Sequence, residues 1–471
     1  MTTYEIYCAG EFLKTGKELK VNNPYTGEHF ASTYLADELL LDRAINKALA
    51  VQEELKHLPS YKKAEALNQI AASLKQNRQY LAEVLCNESA KPIRYALGEI
   101  DRATQTFLIA AEECKRLPKE YLSMDWTSIG TNKEGLVKHF PIGLVAGISP
   151  FNFPINLAVH KIAPAIATGC PIILKPASST PLSTLELAKI INKTSLPKGA
   201  VSILPMNRET GNLMVTDERF KLLSFTGSPV VGWKMKSQSG KKKVILELGG
   251  NAGVIVTDSA NFEDTIKKSL GGAFSYSGQI CIHAQRFFVH ENIFDRFLKE
   301  MVEKTKLLSF GDPLKPETEV NNMIDEDNAI RVSSWISEAV DAGAKLLCGG
   351  KRTGSYVEPT ILTNCTNKMK VYCEEAFGPV VCIEKYNGTI EDAVAKINDT
   401  KFGLQCGVFT NKINELDYCF NNIEVGGVIH NDVPTLRFDH MPYGGVKESG
   451  LGREGVKYTM MDMLEARVLV K

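Results

Sequence analysis

Short apolar runs separated by amphipathic helical stretches recur through this 471-residue chain, and that alternation constrains its fold more than any other feature. "GLVAGISP" (143–150), "PIILKPAS" (171–178), "AVSILP" (200–205), "KLLSFTGS" (221–228) and "KVILELGG" (243–250) read as strands with no polar alternation. Strands apolar on both faces belong to a parallel sheet covered on both sides. Helix-like segments such as "PLSTLELAKIINKTS" lie between them, the pattern of a doubly wound α/β sheet.

A second series starts near residue 250. "NAGVIVTD", "RFFVH", "AKLLCGG", "PVVCIEKY", "CGVFT" and "GGVIHN" read as strands, with "ENIFDRFLKEMVEKTKLL" and "AIRVSSWISEAVDAG" as helices between them. Residues 37 to 118 carry apolar positions three and four apart and read as helical, opening at a capping Asp37. Residues 123–141 and 464–471 fit neither series and read as a two-part extension. The length allows two or three domains.

Composition excludes several classes. Lys plus Arg and Asp plus Glu are 55 each, whereas a nucleic-acid binder usually shows a basic excess. The densest basic patch, "GKKK" (240–243), reads as a solvated turn. No apolar stretch reaches 18 residues, so no membrane span is expected. The eleven cysteines are scattered, with no CxxC pair and no zinc spacing, so no metal is expected. With no apolar h-region in "MTTYEIYCAG", the reading is a reduced, cytoplasmic protein.

Ligands of open α/β sheets bind beyond the carboxyl ends of the strands. The residues at those ends are Ser149, Pro150, Phe151 and Asn152; Lys175 to Ser178; Thr226, Gly227 and Ser228; and Glu247 to Gly250. An amide, a lysine, a Gly-Ser turn and a carboxylate suit a nucleotide and a reaction centre. No GxGxxG is present; Gly227 and Gly232 in "FTGSPVVG" open a helix whose N-terminus suits a pyrophosphate or is an ordinary loop. Cys281 follows the small, polar "SYSGQ", which suits a loop, and a nucleophilic thiol needs such access. The other ten cysteines read as small core fillers.

"PFNFP", "KPA", "FTGS", "LELGG", "GQICI", "EEAFGP" and "PYGGVKESGLGREG" occur in this order, and together they resemble the aldehyde dehydrogenase superfamily. The likeness runs from "NPYTGE" (23–28) to "GLGREG" (450–455). It implies a Rossmann-like cofactor domain (1–122 and 142–247), an α/β catalytic domain (248–448) and a small β oligomerisation extension (123–141 and 449–471). It implies NAD or NADP as cofactor, a small aldehyde as substrate, and a homodimer or homotetramer. Cys281 is then the nucleophile, Asn152 an oxyanion donor, and Glu247 the base that activates water. Glu375 and Phe377 hold the nicotinamide ribose, and Lys175 the adenosine ribose. Gly227 and Ser228 lie under the pyrophosphate, with Ser149, Pro150, Phe151, Gly211, Phe225 and Leu248 completing the cofactor site.

Ser178 stands where relatives strict for NAD usually carry Glu, so NADP acceptance is expected. "VNNMI" (320–324) and "GGNAG" depart from the family pattern and are expected to lie away from the chemistry. Arg437, Arg102 and His160 are candidate anchors for an anionic substrate, with Ile280, Ile282 and Tyr443 as walls. The end of the chain resembles the lactaldehyde, glyceraldehyde-3-phosphate, phosphonoacetaldehyde and succinate semialdehyde branches, which implies a short hydroxylated or anionic aldehyde. A CoA-acylating dehydrogenase and a non-catalytic protein with the same fold are the alternatives; Glu247 argues against the first, and the presence of Cys281, Glu247 and Asn152 against the second.

Overall fold

The computed structural model describes residues 2–471. Two large sheets carry the molecule. In the first, five parallel strands stand in the spatial order Val201–Ile203, Ile172–Lys175, Val145–Ile148, Leu222–Thr226, Lys243–Glu247. In chain order this is 3-2-1-4-5, so the crossover direction reverses on either side of Val145–Ile148. That reversal opens a crevice at the carboxyl ends of the strands. Antiparallel strands Ile6–Cys8 and Glu11–Leu13 close one edge, and Gly450–Leu451 closes the other.

Four helices, Glu38–His57, Ser60–Gln76, Arg78–Ser89 and Ile93–Glu113, account for the periodic stretch after residue 37. The Asp37 side chain accepts from the Leu40 N–H at 2.9 Å, capping the first of them. Leu41, Ala44, Ile45, Ala48, Val51 and Leu55 form its buried stripe. The helix Pro154–Thr168 is buried along its whole length between the sheet and this layer. A helix apolar on most of its faces belongs in such a place, and of its few polar residues His160 and Lys161 are paired with Asp439 and Glu454.

The second sheet runs Lys345–Cys348, Thr360–Thr363, Val380–Tyr386, Ala284–His290, Ala252–Val256, Gln405–Phe409, Gly427–His430. All neighbours are parallel except the first pair. Thr360–Thr363 was not expected from the sequence; four residues of "TILT" are too short a run to show a period, yet the strand is wholly buried.

Lys119–Ser123, Glu134–Pro141 and Leu464–Val470 form a three-stranded antiparallel sheet. The extension therefore begins at 119 rather than 123. Its second part is Leu464–Val470, which matches the reading of 464–471 and not the bound of 449 given with the resemblance: Gly450–Leu451 pairs with Leu246 and Glu247, and Val456, Met460 and Met463 join the core of the first unit. Among the described residues no helix is long and apolar enough to cross a membrane, and no group of three or more His, Cys, Asp or Glu is placed to hold a metal ion.

Candidate active site

A cavity of about 330 Å³ lies between the two large sheets at the carboxyl ends of the first. Pro150, Phe151, Asn152, Gly227, Ser228, Glu247, Leu248, Cys281, Glu375 and Phe377 line it, so the structure brings together all three catalytic candidates and seven of the cofactor candidates, while Ser149, Lys175, Ser178, Gly211, Phe225 and the substrate candidates lie outside its lining.

Backbone geometry aims Cys281. Tyr276, Ser277 and Gly278 adopt φ of 49°, 51° and 69° in succession. Left-handed backbone costs about 1–2 kcal/mol per non-glycine residue, so the turn needs support. The Tyr276 hydroxyl donates to Ser89 O at 3.3 Å, and the Ser277 hydroxyl to Asn321 O at 2.6 Å. Asn321 N–H donates back to Ser277 Oγ, and Ile324 N–H donates to Gln279 Oε1. The segment "VNNMI" thus braces the turn that carries Cys281, contrary to the expectation that it lies apart. "GGNAG" is also closer than expected, because Asn251 Nδ2 donates to the carbonyls of Tyr372 and Glu374 beside Glu375.

Cys281 keeps partial solvent access, and of the other ten thiols only Cys373 shares that property. The Cys281 sulfur lies 3.2 Å from the Tyr443 hydroxyl. Burial pushes its thiol up to about 11; the Tyr443 hydrogen bond and the Arg437 charge oppose this, while Glu375 and Glu247 add to it. His283, two residues on, is pushed down to about 4 by burial and bonds Ala273 O at 2.8 Å, which is a packing role.

Asn152 Nδ2 donates to Gln279 O at 2.9 Å, holding the amide beside the turn that carries Cys281. Its own carbonyl accepts from Lys91 Nζ at 2.6 Å. Lys91 is fully buried, paired with Glu99 and enclosed by the rings of Phe153 and Tyr276. Glu99 Oε1 in turn accepts from Ile155 and Asn156 N–H, both at 3.1 Å, at the start of the buried helix. No sequence pattern marks this pair, because neither residue lies in a motif and the N–H groups that Glu99 accepts from belong to a distant helix.

Glu247 ends its strand with both carboxyl oxygens buried and without a protein partner. Burial, then the charge of Glu454, raises its pKa well above the carboxylate range, against Arg437 and Lys161. Both oxygens are thus left free toward the cavity that Glu247 lines. Glu375 Oε1 accepts from Gly250 N–H at 3.0 Å, and burial pushes this carboxyl up to about 7. The rings of Phe151 and Phe377 meet edge to face at 5.8 Å. Arg331 and Asn328, on the helix Glu326–Asp341, also line the cavity and were not expected.

Glycines give the cavity floor its shape. A Cβ on Gly227 would meet the Phe225 ring, and one on Gly249 would meet the Glu375 carboxylate. Ser228 precedes the helix Pro229–Gln238. Lys175, half-buried, packs against Gly211, where a Cβ would come within 2.8 Å of its stem. Burial lowers the Lys175 pKa, and Arg208 adds to this. Ser149 is buried with its hydroxyl unpartnered, and Ser178 is exposed.

On the other side of Cys281, Ile280, Ile282, Tyr443, Tyr276 and Leu404 form an apolar cluster. Behind it the candidate anchors are tied to the chain's own carboxylates. Arg102 Nη2 donates to Asp439 at 2.6 Å, and His160 Nε2 to the same carboxylate at 2.8 Å. Arg437 Nη2 donates to Glu454 at 3.1 Å, and Lys161 Nζ also donates to Glu454 at 3.1 Å. Burial and Arg437 keep His160 neutral-leaning by lowering its pKa. Burial acts to raise Glu454, yet Lys161 and Arg437 overcome it and hold that carboxylate low. Three cations thus face two carboxylates held ionised, and Arg437 Nε has no protein partner. Asp439 and Glu454 were missed as site residues, although Glu454 lies in a quoted motif.

Comparison with known proteins places these features in context. The model of the aldehyde dehydrogenase family matches residues 12–469. A 3-sulfolactaldehyde dehydrogenase from Priestia megaterium is 40% identical over 470 residues, 99% of this chain and 98% of that one. The crystal structure of aldehyde dehydrogenase 21 from Physcomitrella patens, in complex with its reaction product succinate, superposes with a TM-score of 0.98 at 44% identity, covering 100% of this chain and 98% of that one. The glyceraldehyde-3-phosphate dehydrogenase of Methanocaldococcus jannaschii, solved with NADP, has a TM-score of 0.93 at 37% identity, covering 97% and 100%.

Proposed function

Because this chain belongs to the aldehyde dehydrogenase family, we propose that it oxidises a short hydroxylated or anionic aldehyde to its carboxylic acid with NAD or NADP. One observation carries the reading: a solvent-reachable thiol, a side-chain amide and an unpartnered carboxyl border a single cavity. The glycine-shaped floor, the Glu375 carboxyl and the helix start at Ser228 suit a dinucleotide. When bound, the nicotinamide supplies the hydride acceptor.

The chain's own residues do the rest. The Cys281 sulfur adds to the aldehyde carbon, and the carbonyl electron pair moves onto oxygen. Asn152 Nδ2 and the Cys281 N–H stabilise that oxygen, a contribution of about 2.7–4 kcal/mol for one such donor. Loss of hydride leaves a thioester on Cys281. Glu247 then takes a proton from water as the water attacks the thioester, and the acid departs. A hydroxyl nucleophile would leave an ester, a poorer electrophile for this second step.

The substrate class rests on the surplus positive charge around Arg102 and Arg437 and on the names of the relatives, which include a sulfolactaldehyde enzyme and one solved with succinate. The exposed Ser178 offers no charge against a 2′-phosphate, which supports NADP acceptance. The first sheet with its helices serves as the cofactor domain and the second as the catalytic domain. The three-stranded sheet serves in a homodimer or homotetramer. Eleven unpaired thiols support a reducing, cytoplasmic setting.

A panel of aldehydes run with NAD and NADP in the absence of CoA tests the proposal. Acid formation without CoA, fastest for anionic or 2-hydroxy aldehydes, is the expected result. A requirement for CoA would favour the acylating reading instead.

A further inference from the structure

We propose that Tyr443 is a catalytic residue, whose hydroxyl donates a hydrogen bond to the Cys281 sulfur and stabilises the thiolate that attacks the aldehyde. This rests on the reading of Cys281 as the nucleophile. The hydroxyl lies 3.2 Å from the sulfur, within the reach of a sulfur hydrogen bond. It cannot drift, because the ring is fixed from three directions.

The Arg437 guanidinium sits over the ring face at 3.6 Å from its centroid. The Tyr443 backbone forms an antiparallel bridge with Glu454, Tyr443 N–H donating to Glu454 O at 3.0 Å and Glu454 N–H donating back to Tyr443 O at 2.6 Å. Ile280, Ile282 and Leu404 pack around it. The bridge also sets the Glu454 carboxylate against Arg437 at 3.1 Å, so one interlocked unit carries the ring, its cation and the counter-ion.

The charges around the sulfur explain why such a donor is needed. Glu375 and Glu247 both face it and oppose ionisation, as does burial. The Tyr443 hydroxyl and the Arg437 charge act the other way. Burial, with the neighbouring sulfur, raises the Tyr443 phenol well above its ordinary range, so it keeps its proton and remains a donor. During attack the sulfur lone pair forms the S–C bond and the carbonyl pair moves to oxygen. The phenolic proton stays on Tyr443, whose bond to sulfur weakens as the negative charge leaves for the Asn152 side.

The test is alkylation of cofactor-free enzyme by iodoacetamide between pH 7 and 10, read by mass spectrometry on the peptide that holds Cys281. Tyr443→Phe keeps the ring and its stacking but removes the donor. Loss of a hydrogen bond to a charged group lowers the thiolate fraction, partly offset by the greater nucleophilicity of the more basic thiolate. The expected rate below pH 9 is therefore roughly 3- to 10-fold lower than wild type. Site-specific 3-fluorotyrosine at 443, nearly the same size but a stronger donor, is expected to raise the rate above wild type. Superimposable profiles for all three proteins would overturn the role. Cys281→Ser separates the two layers: dehydrogenase activity surviving in that variant overturns the nucleophile assignment. Activity lost there, with Tyr443→Phe alkylated at the wild-type rate, overturns the Tyr443 inference alone.

Discussion

The two sides of Cys281 are built by different means. On the side toward Glu375 and Phe377, the walls are strand ends, glycines and backbone N–H groups, and they leave an open cavity. On the side toward Tyr443, the walls are large side chains backed by buried ion pairs from four separated segments around residues 102, 160, 437 and 454. The first side suits a ligand that is the same for many enzymes, since backbone and glycine recognise shape. The second suits discrimination among small molecules, since each buried charge and ring selects for or against a substituent.

Variants on the two sides are expected to separate accordingly. The largest effect belongs to the sulfur they share. Cys281→Ala is expected to lower kcat by on the order of 10⁴-fold or more for every aldehyde and both cofactors, as measured by steady-state absorbance at 340 nm. Next, Glu247→Gln is expected to leave a burst of reduced cofactor of one equivalent per active site, followed by turnover about 10²- to 10⁴-fold slower.

The pH dependence of that second step has a definite sign. The base works only when ionised, and burial with the Glu454 charge raises its pKa. Wild-type turnover should therefore fall on acidification at a pH above the ordinary glutamate range, and the Gln variant should lack that limb. Asn152→Ala is expected to cost about 10²- to 10³-fold in kcat, with cofactor affinity unchanged.

Smaller effects test the contrast itself. Arg102→Ala leaves Asp439 its His160 partner. It is expected to lower kcat/KM about tenfold for an anionic aldehyde and to leave a neutral aldehyde of equal length unaffected. Equal losses for both would assign Arg102 to packing. Ser178→Glu, on the other side, is expected to raise the KM for NADP about fivefold, the equivalent of ~1 kcal/mol between charges ~4 Å apart in water, with little change for NAD.

The same contrast decides what the sequence made legible. The strand ends of the first sheet could be read because a parallel strand is a continuous apolar run and its functional residues follow it directly; Asn152, Glu247 and Gly227 all stand there. Cys281 was legible from the small polar residues before it, which form the left-handed turn. Tyr443 was named as a wall, but its hydroxyl contact with the sulfur depends on Arg437 and Glu454 folding over it, which no local pattern records. Lys91 and Glu99 were invisible for the same reason: a buried ion pair between a loop and a helix has no period and no spacing. The place of "VNNMI" is likewise not legible, because Asn321 and Ile324 reach the turn that carries Cys281 through space, from 44 and 45 residues further along the chain.

On the proposed mechanism one sulfur holds the substrate carbon until Glu247 releases it. Intact-protein mass spectrometry of Glu247→Gln, quenched in acid after a single turnover with NADP and a short aldehyde, tests it most directly. The expected result is a mass gain of one acyl group, mapped to the peptide containing Cys281 and removed by hydroxylamine. A protein that completes the burst with no adduct, or carries the adduct on any of the other ten cysteines, would contradict it.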